Sequence, residues 1–151
     1  MYQNICVAVD GSEMSFRAVD SAARLANKLD AKLIILHVIR NMKIPAELKR
    51  FVKQNSMDRL RQEALEGAGK EIIDHATNIV NKAGVSEFAC EILQGDPAKA
   101  LVEGAARHNG DLLVVGTRGL GQVEGMLIGS ISRKVTSISD IAVLVVKPNK
   151  E

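Results

Sequence analysis

Short runs of consecutive apolar residues alternate along the chain with longer segments whose apolar residues recur every three or four positions. The runs are typical of strands buried in a parallel sheet, and the longer segments are typical of amphipathic helices. Strands are predicted at residues 3–9, 33–39, 87–93, 112–115 and 141–146. Helices are predicted at residues 13–29, 56–83, 97–108 and 131–138. The pattern predicts an α/β fold, whose opening βαβ unit selects a parallel sheet with a right-handed crossover.

Several helix ends carry recognisable capping residues. Ser12 and Asp96 are predicted N-caps, and Pro97 suits the first helical position. Gly84 is placed to end the second helix, and Gly110 to follow the third as its C′ residue. The second helix should bury one continuous apolar stripe, made of Leu60, Ala64, Leu65, Ala68, Ile72, Ala76, Ile79 and Val80.

Composition narrows the class of protein. A chain of 151 residues with 46% hydrophobic and 25% charged residues predicts a single folded domain over residues 1–151 rather than disorder. Aromatic residues are only 3% and the net charge is +2, so we expect no nucleic-acid partner. No run of eighteen apolar residues and no charged-then-apolar leader is present, which predicts no membrane span and a cytoplasmic location.

The two cysteines, Cys6 and Cys90, both fall inside predicted strands. Neither has a cysteine or histidine at metal-ligand spacing. The sequence therefore predicts two buried, reduced core thiols.

Two strand ends carry loops that suit ligand binding. Asp10, Gly11 and Ser12 follow the first strand, and the glycine-rich stretch from Gly116 to Ser132 follows the fourth and opens into a helix. Glycines allow backbone N–H groups to approach phosphate oxygens, and a helix N-terminus attracts anions. Ser130 and Ser132 would add hydroxyl donors there. If the first and fourth strands are neighbours, both loops face one crevice at the sheet's switch point.

Structural roles for the same residues remain open. Asp10 also suits a capping role at the first helix, Gly116 and Gly119 suit a tight turn, and Ser130 suits an N-cap without any ligand. Motifs of P-loop NTPases, of ordinary dinucleotide-binding domains and of protein kinases are missing from the sequence. No residue is an obvious general base for ATP hydrolysis, so no catalytic residue is predicted.

The spacing of Gly116, Gly119, Gly129 and Ser130 resembles the nucleotide-binding signature of the universal stress proteins. The resemblance extends over the whole chain and includes Ile5–Ser12, Leu36–Val38, Gly95–Pro97 and Val143–Lys147. It implies an open five-stranded parallel sheet of strand order 3-2-1-4-5 with helices on both faces, a Rossmann-like fold of the adenine nucleotide α-hydrolase type. It also implies the branch of the family that binds ATP, since the glycine signature is complete.

The resemblance further implies a role for individual residues. Asp10 would approach the ribose and the metal region, and the backbone of Val38 would contact adenine. Gly116, Arg118 and Gly119 would lie beside ribose and phosphates, while Gly129, Ser130 and Ser132 would cradle the phosphates. Val9 and Ile131 complete the implied nucleotide-binding set. The implied cofactors are ATP, with ADP and AMP as alternatives, and Mg²⁺ held with the nucleotide.

Three functions follow as hypotheses: an ATP-binding regulatory switch of the stress response, a slow Mg-dependent ATP hydrolase, and an interaction protein with a vestigial site. The strongly apolar last strand, Ile141–Val146, is predicted to lie at a sheet edge and to pair with a second copy of the chain. Family members commonly dimerise through this strand. Residues 40–55 form either a basic linker or a lid over the site.

Overall fold

Five strands pair side by side, and every pair is parallel. The computed structural model of the chain describes residues 1–40, 47, 57–118 and 128–149. Along the chain it contains β1 (Asn4–Ala8), α1 (Glu13–Leu29), β2 (Lys32–Arg40), α2 (Met57–Lys82), β3 (Phe88–Gly95), α3 (Pro97–Arg107), β4 (Leu112–Gly116), α4 (Ser130–Ile138) and β5 (Ala142–Val146). The strand order is β3-β2-β1-β4-β5. The predicted fold and strand order are confirmed.

Alternating side chains of the strands pack against two layers of helices. Ile5, Val7 and Ile35 belong to the core that faces α1 and α2, and Cys6 and Leu36 belong to the core that faces α3 and α4. Strand β1 lies at the centre, so its side chains are covered on both faces, and Ile5, Cys6 and Val7 are fully buried. This double burial explains why the strands read as continuous apolar runs.

The predicted helix starts are confirmed at atomic detail. The Ser12 hydroxyl accepts the backbone N–H of Ser15 at 3.1 Å, and the Asp96 carboxylate accepts that of Lys99 at 3.2 Å. Gly84 follows α2 with φ +78°, in the left-handed region that favours glycine.

The role predicted for Gly110 is wrong. The left-handed residue after α3 is Asn109, with φ +52°, and His108 is the C-cap. Gly110 is instead required by packing, because an added Cβ would lie 2.9 Å from the Cys6 sulfur and 3.0 Å from the Ala105 carbonyl oxygen. The sequence could not distinguish a left-handed C′ glycine from a glycine required by close packing, since a glycine near a helix end suits both roles.

The prediction of two buried thiols holds for Cys6 and is wrong for Cys90. Burial, and to a lesser degree the Asp111 carboxylate, raises the pKa of the Cys6 thiol to about 12. Cys90 is exposed, because β3 is an edge strand of the sheet, and its sulfur lies 3.8 Å from the Thr77 hydroxyl. The sequence of a strand does not show whether the strand lies at the centre or at the edge of the sheet, and this position decides whether its side chains are buried.

The apolar stripe predicted on α2 is buried over only half its length. Ala76 and Val80 are fully buried in the core. Leu60 is 64% exposed, Leu65 is 37% exposed, and Ala64 and Ala68 are exposed as well. Arg40, predicted to begin an irregular connection, is the last residue of β2. Apart from Arg40 and Glu47, the predicted linker or lid at 40–55 lies outside the described residues.

Candidate functional site

A cavity of about 550 Å³ opens at the carboxyl ends of β1, β2 and β4. It exists because β1 is short: its last register pair with β2 joins Ala8 to Leu36, while β2 continues to Arg40 against β3. The first half of α2 and the starts of α3 and α4 close the cavity from both faces of the sheet. Strands β1 and β4 are neighbours, so the two loops singled out in the sequence do meet here.

Eight of the ten predicted site residues line this cavity: Val9, Asp10, Val38, Gly116, Arg118, Gly129, Ile131 and Ser132. Ser130 is exposed as the first residue of α4 and is not among the lining residues. Gly119 lies outside the described residues. The structure therefore brings most of the predicted set together around one cavity.

The loop after β1 is held by short-range hydrogen bonds. The Asp10 carboxylate accepts the backbone N–H of Ser12 at 2.8 Å, while the Asp10 N–H donates to the Ser15 hydroxyl at 3.2 Å. Gly11 adopts φ +93°, and a Cβ there would lie 3.0 Å from Ile72 of α2. Asp10 thus buttresses the start of α1 and is also one of the residues that line the cavity.

His37 fixes the end of β1 against β2. Its Nδ1 lies 2.7 Å from the Val9 carbonyl oxygen. A carbonyl oxygen can only accept, so Nδ1 carries the proton, and in the neutral ring Nε2 is an acceptor. His37 is only 7% exposed and contributes to the cavity wall. The backbone N–H of Val9 is also engaged, because it donates to the Leu36 carbonyl oxygen at 2.9 Å.

Val38 presents its backbone to the cavity. Alternate residues of a parallel strand direct their N–H and C=O groups to the same neighbour. Because Leu36 accepts from Val9, the N–H and C=O of Val38, two residues further on, also point towards the side of β1. The described part of β1 ends at Ala8 and its ladder with β2 ends at Leu36, which leaves a donor and an acceptor of Val38 side by side at the cavity.

The start of α4 forms the opposite wall. Gly129 is the N-cap, with φ −72° and ψ 164°, and no side chain of the described residues caps the helix. The N–H groups of a first helical turn have no intrahelical partner, so this end of α4 can accept an anion. The alternative that Ser130 is the N-cap is wrong, because Gly129 occupies that position.

Residues next to α4 tie this wall to β4 and β5. The Ser132 hydroxyl donates to the Gly116 carbonyl, so its one proton is already engaged. The Thr117 N–H donates to the Val146 carbonyl at 2.9 Å, and the Thr117 carbonyl accepts from Gly129. A Cβ on Gly116 would lie 3.1 Å from the backbone oxygen of Met14 in α1. Gly116 is therefore a close-packing residue as well as a lining residue.

Sequence reasoning missed two arginines. Arg40 at the end of β2 and Arg61 on α2 both line the cavity, together with the predicted Arg118. Arg40 acts electrostatically on Asp96, whose pKa is lowered mainly by the Lys99 N–H and the Lys134 side chain. Arg61 lies on the same face of α2 as Leu65, Ala68 and Ile72, which also line the cavity. Their spacing indicated a helical face, but not that the face meets a cavity.

Within residues 1–40, 47, 57–118 and 128–149, no group of three or more His, Cys, Asp or Glu side chains is arranged to hold a metal ion. None of the helices in these ranges is both long enough and apolar enough to cross a membrane.

With the cavity described, the chain can be compared with known proteins. The sequence model of the universal stress protein family matches residues 1–147. The chain belongs to the universal stress protein family. It is 33% identical over 150 residues to universal stress protein YxiE of Bacillus subtilis, covering 97% of this chain and 100% of that protein.

Solved structures of universal stress proteins have the same fold as this chain. A crystal structure of a universal stress protein in complex with cAMP is 33% identical to this chain, with a TM-score of 0.68 and 96% of each chain covered. Universal stress protein UspA from Lactobacillus plantarum has a TM-score of 0.81 at 24% identity, covering 96% of this chain and 97% of that one. The second likeness concerns the fold alone.

Proposed function

We propose that this universal stress protein binds an adenine nucleotide, ATP foremost, in the cavity and acts as a nucleotide-dependent regulatory switch. The observation that carries the proposal is that the backbone edge of Val38 and the N-terminus of α4 at Gly129, which no described side chain caps, line the same cavity. A volume of about 550 Å³ is within the usual size range of sites for small molecules and cofactors. The relative solved in complex with cAMP supports the choice of an adenine nucleotide.

Val38 is suited to recognise the base. Adenine carries an amino donor beside a ring-nitrogen acceptor, and the carbonyl and N–H of Val38 offer the complementary pair. Backbone recognition of this kind needs no particular side chain. Val38 would therefore recognise adenine through its position in β2 and not through its side chain. This is why an apolar residue can contribute to the proposed site.

The phosphates would lie at the start of α4. Backbone N–H groups there can donate to phosphate oxygens, and Arg118 adds a positive charge on the same side of the cavity. Magnesium usually binds one or two carboxylates together with substrate phosphates, and Asp10 supplies one carboxylate in the cavity wall. Asp10 would thus hold Mg²⁺ that arrives with the nucleotide, and the bound ion would offset phosphate charge.

We further propose that β5 pairs with its copy in a second chain. β5 is an edge strand, and Leu144 is 39% exposed on it. An exposed apolar edge invites pairing, and a two-fold axis would satisfy both copies at once. Both cysteines are free thiols, which fits a reducing compartment, and we place this single domain of residues 1–151 in the cytoplasm.

The test is to purify the chain without added nucleotide, denature it, and identify the released nucleotide by chromatography. Stripped protein is then titrated with Mg-ATP by calorimetry, together with Ser130→Ala and the matched control Ser137→Ala from the exposed face of α4. Bound ATP at one per chain, or tight binding of added ATP without turnover, supports the switch. Metal-dependent formation of ADP, lost in Ser130→Ala but not in Ser137→Ala, would favour the hydrolase instead. No binding at millimolar ATP would leave an interaction protein with a vestigial site.

A further inference from the structure

The exposed half of the apolar face of α2 lies against the cavity. Leu65 and Ala68 are exposed although their spacing predicts burial, and both line the cavity with the half-buried Ile72. In the second half of the helix the same stripe is buried against the sheet at Ala76 and Val80. An apolar helix face that is turned to a cavity indicates an apolar occupant.

A close contact at Gly69, the residue after Ala68, determines how near α2 lies to the sheet. A Cβ added to Gly69 would lie 3.1 Å from Cδ2 of His37, so the backbone of α2 rests almost on that ring. One turn further on, Ile72 reaches Gly11, where an added Cβ would lie 3.0 Å from it. These two contacts hold α2 close to the sheet on either side of Ala68.

The other face of the sheet contributes an opposing apolar wall. Pro97 and Leu101 of α3 line the cavity from the layer opposite α2. The N–H and C=O of Val38 lie between the two layers, in the plane of the sheet. A ring that hydrogen-bonds to both groups must lie close to this plane. Its two flat faces then look towards α2 and α3.

We propose that Ala68 is a specificity-determining residue of the site, whose methyl group contacts one face of a planar purine ring. This inference rests on the proposed function, and it adds α2 to the groups that select the ligand. The ring takes the place that a longer β1 would occupy between β2 and β4. Leu65 and Ile72 extend the wall on either side of Ala68. A larger side chain at 68 fills the gap, and the ring is then excluded.

The experiment compares Ala68→Leu with Ala64→Leu, an identical change one turn earlier at an exposed position outside the cavity. Calorimetric titration with AMP should show binding weakened roughly ten-fold or more in Ala68→Leu, because the added carbon atoms occupy the space of the ring. Ala64→Leu should bind AMP within about two-fold of the unchanged chain. Circular dichroism confirms that both variants are folded.

A second measurement does not depend on the variants. With carbon-13 labelled alanine methyl groups, the Ala68 methyl should show nuclear Overhauser effects to the ring protons of bound AMP. Effects to ribose protons alone would overturn the assignment, as would equal AMP affinity in the two leucine variants. If the unchanged chain binds no adenine nucleotide, the proposed function fails together with this inference. If it binds AMP and Ala68→Leu binds equally well, only this inference fails.

Discussion

Replacing Gly129 by aspartate should abolish nucleotide binding while leaving the fold intact. Gly129 is the N-cap of α4, and its φ of −72° and ψ of 164° are values that any residue adopts. Aspartate is among the preferred N-cap residues, so the new carboxylate should accept N–H groups that are now uncapped. These N–H groups are the ones we assign to phosphate. The variant therefore places a competing anion in the proposed phosphate site.

The size of the effect follows from two terms. Losing the helix terminus as an anion site costs about 0.5–2 kcal/mol of binding free energy. Repulsion between the carboxylate and one phosphate charge at about 5 Å adds roughly 3 kcal/mol at an effective dielectric constant near 20. Together they amount to about 3.5–5 kcal/mol and predict ATP binding weaker by roughly two and a half to three and a half powers of ten. Folding should gain only about 0.3 kcal/mol from the cap, because glycine is itself a tolerated N-cap, so Tm should rise by about 1 °C at most.

The assay is calorimetric titration with Mg-ATP, accompanied by thermal unfolding of the same samples. Gly129→Asn is the matched control, because asparagine caps a helix equally well and carries no charge. The asparagine variant should lose only the contribution of the helix terminus, about 0.5–2 kcal/mol, because it adds no charge repulsion. An aspartate variant that is folded and binds ATP within about three-fold of the unchanged chain would refute the phosphate site at α4.

Three more predictions concern stability and assembly. Gly116→Ala should lower the free energy of unfolding by about 1–3 kcal/mol, because the new methyl meets the Met14 backbone, and an unchanged Tm would contradict this. Burial raises the pKa of Glu91, but hydrogen bonds from His108 and Arg107 outweigh it, and the pKa is lowered overall. The Glu91 contacts therefore stabilise the fold above the usual glutamate pKa of 4.5 and are lost as pH falls through the lowered value. Urea unfolding should show Glu91→Gln less stable by roughly 1 kcal/mol at pH 7, with the difference disappearing in acid. Leu144→Lys should convert a dimer to a monomer in sedimentation without altering ATP affinity, and a persistent dimer would argue against pairing through β5.

Most of the secondary structure could be predicted because it depends on neighbours along the chain. The apolar runs of β1, β2 and β4 reflect strands covered on both faces, and the caps at Ser12 and Asp96 act on N–H groups three residues away. The predicted strand order came from the family resemblance rather than from periodicity. It is confirmed by the pairing of β1 with β4.

What the sequence left undecided depends on contacts between distant elements. Periodicity showed that α2 has an apolar face, but only tertiary packing shows that Leu65 and Ala68 meet a cavity while Ala76 and Val80 meet the core. Tertiary packing also decides the environment of Cys90, which is exposed because β3 is an edge strand. It likewise decides that of Arg61, which lines the cavity because of where α2 crosses the sheet.

The sequence by itself determined the elements, the N-caps at Ser12 and Asp96 and the glycine signature, since all of these are local properties of the chain. Tertiary structure alone decided the cavity, because it forms where β1 stops at Ala8 while β2 runs on to Arg40. No residue of the sequence marks this difference in strand length. The physical reason is that a binding space depends on which elements end beside one another, and that is settled only when the sheet has assembled.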